Sequence, residues 1–425
     1  MNMRIVAIFP IIFFVFLVNP LFAGEERPVE DLSRLVATAL AQNPELKGSE
    51  ARWQVFRNKI AQASSFEDPM LMLKIQNGIL SDPFNFEKDP MTQKVLGLSQ
   101  ALPFWGKRAL RGEVAAREAE ASRWTIEERK LELARMVKET YYQLSFVDRS
   151  LAILDRSLTI AADFVTLAET RYEVGQAAQQ DIFKAQLDRS KMLDMRLALE
   201  QQRRSLQATM NALLNRPADT PIGTIPLEGA KAVSSDAGQL LQQAEEHRPL
   251  FKEIRSRIAK GEAGHRLAQK DAYPDFTLFL ELMQRNPVGG DQGLNMYTLG
   301  VTFNLPIQRE RREAMQAEAS SETAMAGEEL NAARNSIRAG IADLLAQLER
   351  RRQQAELYRS GIIPQAEKAL ESAVASYRVG KVDFLTLLDS RSALFSYERE
   401  YQEALAEQQM RRAQLEALVG TTLEY

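Results

Sequence analysis

The chain is written twice, so whatever it folds into must carry two copies of one unit. Asp68-Pro69-Met70-Leu71-Met72-Leu73 returns in outline as Tyr273-Pro274-Asp275-Phe276-Thr277-Leu278, with Pro69 and Pro274 offset by 205 residues. Leu98-Ser99-Gln100-Ala101-Leu102-Pro103 pairs with Val301-Thr302-Phe303-Asn304-Leu305-Pro306. Arg171-Tyr172-Glu173-Val174-Gly175 pairs with Ser376-Tyr377-Arg378-Val379-Gly380, and Ala212-Leu213-Leu214 and Ala417-Leu418-Val419 close the two halves. Between them Pro217, Pro221, Gly223, Pro226 and Gly229 forbid a continuous helix. The expected division is a leader over 1–23, a first repeat over 24–226 and a second over 227–425.

Within each half the hydrophobic period changes in the same order, from helix to strand pair to long helical hairpin. Leu71, Leu73 and Ile75 alternate with Met70, Met72 and Lys74, and Phe276, Leu278, Leu280 and Leu282 alternate with Asp275, Thr277, Phe279 and Glu281. The partner strands put Leu96, Leu98 and Leu102 on one face, and Leu299, Val301, Phe303 and Leu305 likewise, with small or polar residues between. Residues 113–174 contain neither Gly nor Pro over 62 positions, roughly 90 Å of helix. Along it Val147, Leu151, Leu154, Leu158, Ala161, Val165, Ala168 and Tyr172 step by four and three, a heptad seam that asks for a coiled-coil partner. The helix expected over 181–215 supplies one. The second half repeats the layout over 308–378, where Gly361 and Pro364 predict a kink.

The predicted fold class is therefore mainly α with a small β part: coiled-coil hairpins in two tandem repeats, each giving two strands. Four strands with a bare apolar face cannot close alone, since the smallest membrane barrels need about eight. Several copies sharing a barrel solve this; a soluble sandwich capping a coiled-coil rod uses the same alternation. Arg4, the apolar run over 5–18 and Leu21-Phe22-Ala23 read as a cleavable secretory signal, with an uncleaved anchor as the alternative. Without that leader 53 basic residues face 57 acidic ones, a balance with no footprint for nucleic acid. No later stretch reads as a membrane helix, so entry into a membrane would have to use strands.

Four segments carry a resemblance to the TolC-like outer-membrane efflux family: Asn43-Pro44-Glu45-Leu46, the strand ending Gln100-Ala101-Leu102-Pro103, the Tyr-x-Val-Gly turns at 172–175 and 377–380, and Val382-Asp383-Phe384-Leu385. The likeness covers nearly the whole chain after the leader. It implies a homotrimer, with a twelve-stranded transmembrane β-barrel in the outer membrane above a helical tunnel through the periplasm. It also implies the partners: a periplasmic adaptor (membrane fusion) protein and an inner-membrane transporter. Trp105-Gly106-Lys107-Arg108, with the loop over 82–90, is similar to members serving heavy-metal exporters of the resistance-nodulation-division class. The function implied is passive conduction of cargo out of the cell, in an outer-membrane protein that carries no cysteine for an N-terminal lipid.

From the resemblance, the hairpin turns Val174-Gly175-Gln176 and Val379-Gly380-Lys381 are adaptor-docking tips; a glycine just past a helix also turns the chain with no partner involved. Asp181, Asp383 and Asp389 are the candidates for a periplasmic gate, where threefold rings of carboxylate would attract cations. Thr386 departs from the family pattern, standing where a ring carboxylate is expected. For Asp181 and Asp383 the plainer reading is helix N-capping. Met70, Met72 and Met91 read as packing residues ahead of soft-metal ligands. His247 and His265, expected on one helix and 18 residues apart, make no zinc pair. No phosphate loop, nucleophile elbow or H-E-x-x-H motif occurs, so neither enzyme, cofactor nor metal site is predicted. Two other readings compete with the duct: a soluble coiled-coil scaffold of the periplasm, and an adaptor subunit, which would carry one hairpin where this chain has two.

Overall fold

The computed structural model describes residues 30–226, 229 and 236–423. The leader expected over 1–23 lies outside them. Each half begins with two helices broken by a proline. In the first, α1 (Leu32–Gln42) is capped by Asp31, and α2 (Pro44–Ser64) by Asn43, whose side chain accepts from the Glu45 and Leu46 N–H groups. Two strands follow, β1 (Met70–Gln76) and β2 (Gln93–Leu102), then α3 (Lys107–Glu173) and α4 (Gln179–Leu213). The second half repeats this order: α5 (Ala237–His247), α6 (Pro249–Lys270), β3 (Phe276–Arg285), β4 (Met296–Phe303), α7 (Arg309–Leu357), a five-residue π turn over Tyr358–Ile362, α8 (Ile363–Arg378) and α9 (Phe384–Val419). At 67 residues α3 is about 100 Å long.

The repeat holds at the level of single hydrogen bonds. Asn43 donates to the carbonyl of Leu213, and Arg248 to that of Leu418; 248 − 43 and 418 − 213 both give 205. Asn215 and Gly420, also 205 apart, take the left-handed conformation just past α4 and α9, with φ of 54° and 84°. The described start of the linker between the halves joins the core. Ile222 and Ile225 pack with Leu35, Leu133, Val137, Leu144 and Met210.

The strands form one antiparallel sheet in the order β1-β2-β3-β4, so the two halves meet where β2 pairs with β3. Register lines up Leu71, Leu98, Leu280 and Leu299 in one row, and Leu73, Leu96, Leu282 and Tyr297 in the next. This face is bare: Leu73 is 76 % exposed and Tyr297 74 %. The opposite face carries Met72, Gly97, Glu281 and Thr298 across one row, with a Lys74–Glu281 ion pair at 3.0 Å. Among the described residues β1 and β4 pair with nothing on their outer edges. None of the described helices is long and apolar enough to cross a membrane.

Three expectations change. The buried seam of α3 runs Val147, Ser150, Leu154, Ser157, Ala161, Phe164, Ala168 and Arg171. Leu151, Leu158 and Val165 are only partly buried, and Tyr172 is exposed. The cause is that α3 is covered on two sides, by α4 and by α9, so small serines occupy the close approach and the larger residues flank it. The kink expected at Gly361 and Pro364 falls on the π turn and the start of α8, where Tyr358 donates to the Glu400 carboxylate of α9. The histidines stand on different helices, split at Arg248-Pro249, and His265 bonds Ser320 at 3.1 Å.

Candidate functional site

Two places in the molecule answer to the sequence expectations: the far ends of the hairpins and the junction between sheet and helices. At the hairpin ends the two turns are built alike. The Gln176 N–H reaches the Arg171 carbonyl at 2.8 Å, and the Lys381 N–H reaches the Ser376 carbonyl at 2.9 Å. Gly175 and Gly380 stand at φ of 73° and 74°, a conformation that costs other residues about 1–2 kcal/mol. Beside them Val174 and Val379 are 62 % and 67 % exposed, so each turn presents an apolar side chain to solvent.

The turns also touch one another. Arg171, nearly buried, donates to the carbonyl of Tyr377 in the other hairpin and to that of Gln176 at 3.0 Å, and its guanidinium lies 4.7 Å from the centre of the Tyr377 ring. Phe164, Ala168 and Ala185 of the first hairpin pack with Leu370, Ala373, Tyr377, Phe384 and Leu387 of the second. Burial, and then the nearby Asp181 carboxylate, hold the Tyr377 phenol above its ordinary range.

The three aspartates have different surroundings. Asp383 is the N-cap of α9, accepting from the Thr386 N–H at 2.9 Å and from its hydroxyl at 2.5 Å, and these bonds hold its carboxyl below the usual range. Thr386, where a carboxylate was expected, thus completes the cap. Asp181 caps nothing: the N-cap of α4 is Ala178, and Asp181 stands in the first turn, where its charge favours the helix dipole. Asp389 is exposed on α9 and makes no side-chain hydrogen bond or ion pair among the described residues. The structure therefore brings Asp181 to the seam between hairpins, makes Asp383 a cap, and leaves Asp389 free on the surface.

The sequence reading missed a buried join between the two hairpins. Arg391 of α9 is 3 % exposed and meets both oxygens of Asp188 on α4, at 2.7 and 2.8 Å. It also reaches the Ser157 hydroxyl on α3 at 3.3 Å and the Met192 sulfur at 3.0 Å. Burial presses its guanidinium below the ordinary value, while Asp188 pulls the other way. One signal was available: Phe384, Leu387, Arg391 and Phe395 form the buried stripe of α9, and an arginine there breaks an apolar period.

At the sheet end Lys107 is 2 % exposed and bridges the halves. Its ammonium meets Asp275 at 2.9 Å, Asp271 at 3.4 Å and the Tyr273 carbonyl at 2.8 Å. Asp275 in turn accepts from the Phe104 N–H at 2.8 Å. Phe104 stacks on Tyr273 with 4.5 Å between ring centres. This cluster fixes the entry of α3 beneath the sheet. None of these groups is arranged as a nucleophile with a base; what they can do is hold helices together or let them part.

The sequence profile of the outer membrane efflux protein family matches residues 35–216 and again 240–421. The cobalt-zinc-cadmium resistance protein CzcC of Cupriavidus metallidurans is 24 % identical over 74 % of this chain and 74 % of its own length. The pyoverdine export outer membrane protein OpmQ of Pseudomonas putida is 27 % identical over 78 % of this chain and 68 % of its own. Among solved structures, the outer membrane protein VceC of Vibrio cholerae superposes with a TM-score of 0.77 at 20 % identity, covering 92 % of this chain and 97 % of that one.

Proposed function

Since the chain belongs to the outer membrane efflux protein family, we propose a working duct in which each region above has a role. The chain is an outer-membrane channel of an efflux pump, working with adaptor and inner-membrane transporter subunits. The observation that carries the reading is the sheet: both edges open, one face bare and apolar, the other holding the Lys74–Glu281 pair. Three copies give twelve strands, which close a barrel, satisfy both edges, and turn leucines to lipid and polar groups to a lumen. The rod of helices then extends the lumen through the periplasm. We read the chain as a passive conduit and not an enzyme.

Asp181 and Asp389 are assigned to the gate, with Asp383 supporting the helix start. Asp389 is exposed and free of partners, as a side chain lining a constriction would be. Asp389→Ala is expected to raise the resting single-channel conductance of the protein in planar bilayers; a conductance equal to the parent's removes Asp389 from the gate.

The turns at Val174-Gly175-Gln176 and Val379-Gly380-Lys381 are assigned to adaptor docking, their matched geometry and exposed valines supporting this. For cargo we favour heavy-metal cations, following the name of the first relative, and for the transporter the resistance-nodulation-division class. Cells lacking the chain should become sensitive to cobalt, zinc or cadmium, and Gly175→Val/Gly380→Val, still inserted in the outer membrane, should fail to restore growth. Unchanged metal tolerance in the deletion would discard the metal assignment. Full restoration by the double variant would discard docking at the turns.

A further inference from the structure

Below the bare face of the sheet lies an apolar groove of about 590 Å3, within the range of roughly 300–1,000 Å3 typical of small-ligand sites. Phe66, Leu102, Trp105, Leu278 and Val301 line it, and Arg108 is its one charged residue. Trp105 is 75 % exposed and Phe66 half exposed. The groove continues the lipid-facing rows downward, since Leu278 and Val301 pair in register next to Leu280 and Leu299.

Arg108 is not accounted for by the fold. Its guanidinium lies 3.8 Å from the centre of the Phe66 ring, and among the described residues it makes no ion pair. Stacked in that way, a guanidinium keeps its N–H edge free for an anion. A cation in the first turn of a helix also opposes the helix dipole. The second half repeats the placement: Arg309 and Arg311 start α7 and are exposed. Cations beneath an apolar band, next to exposed aromatic rings, match the level where phosphates of a bilayer lie.

We propose that this groove binds a glycerophospholipid of the periplasmic leaflet, one per protomer, with an acyl chain along Trp105 and Leu278 and the phosphate on Arg108. The proposal rests on the outer-membrane reading. Its test is native mass spectrometry of the full protein extracted from outer membranes, titrated with dioleoylphosphatidylglycerol. Trimers should retain up to three lipids. Arg108→Gln should weaken retention about tenfold, the worth of one charge-assisted contact. Ala109→Trp, which fills the groove from an exposed position, should abolish it, while Arg108→Lys, which keeps the charge but not the stacked planar group, should restore only part of it.

Outer-membrane trimers that bind the lipid equally with and without these substitutions would overturn the proposal. So would wild-type trimers that bind none, as happens when a neighbouring protomer fills the groove, or displacement of the lipid by inorganic phosphate, which marks a simple anion site. A protein absent from the outer membrane would fail on fractionation, before any lipid is counted, and would overturn the duct reading itself.

Discussion

Asp188→Ala is expected to loosen the join between the two hairpins by about 3–5 kcal/mol, the cost of leaving a buried charge without its partner. Arg391 cannot shed its proton at any ordinary pH, and only 4 % of its side chain is exposed, so water cannot replace the carboxylate. Arg391→Leu should behave differently. It removes the cation from an apolar stripe between Leu387 and Phe395, and Asp188, 22 % exposed, retains some access to water. Its cost should be clearly smaller. The double variant Asp188→Ala/Arg391→Leu should recover most of the loss, because no unpaired charge remains. Hydrogen exchange across α4 and α9 reads the effect locally, with faster exchange in Asp188→Ala alone. Equal effects for both single variants, or no recovery in the double, would contradict this account of the pair.

The second large effect concerns the bare apolar face of the sheet, which the proposed duct turns to lipid. Leu280 sits in mid-strand between Leu98 and Leu299, and an arginine there would cost about 2–4 kcal/mol per copy near the bilayer midplane. A trimer incurs this three times, so Leu280→Arg should abolish folded, heat-resistant trimer in the outer membrane. Thr298→Arg is the control. Thr298 pairs in register with Glu281 on the other face, where a new cation finds a carboxylate and water, so assembly should survive. Tolerance of Leu280→Arg together with loss of Thr298→Arg would mean that the faces are assigned the wrong way round.

These two tests fall on opposite sides of what the sequence discloses. The sheet was legible because a period of two needs only nearest neighbours: Leu71, Leu73 and Ile75 declare their face without reference to any partner strand. An interruption near Gly361 and Pro364 was legible for the same reason, as a local backbone constraint, although it takes the form of the π turn over Tyr358–Ile362. The hairpin turns were visible too, since Gly175 and Gly380 stand where only glycine takes a positive φ without strain.

What escaped depends on contacts between segments about 200 residues apart. The seam of α3 was displaced by one position on alternate steps because leucines outscore serines in any apolar pattern. Ser157 is buried where Arg391 of the second hairpin reaches its hydroxyl. The same contact between hairpins buries Arg171 against Tyr377 and Arg391 against Asp188. Lys107 read as part of a family signature, yet its burial comes from Asp271 and Asp275 in the other half of the chain. The local units are thus written in each repeat, and the joins between repeats are not.

The most direct test of the shared barrel is the mass of the detergent-solubilised particle taken from a fractionated outer membrane, with bound detergent subtracted. Three chain masses are expected, because four strands per copy leave two edges that only neighbouring copies can satisfy. A monomer in the soluble periplasmic fraction would contradict the barrel and leave a coiled-coil scaffold as the better account of the fold.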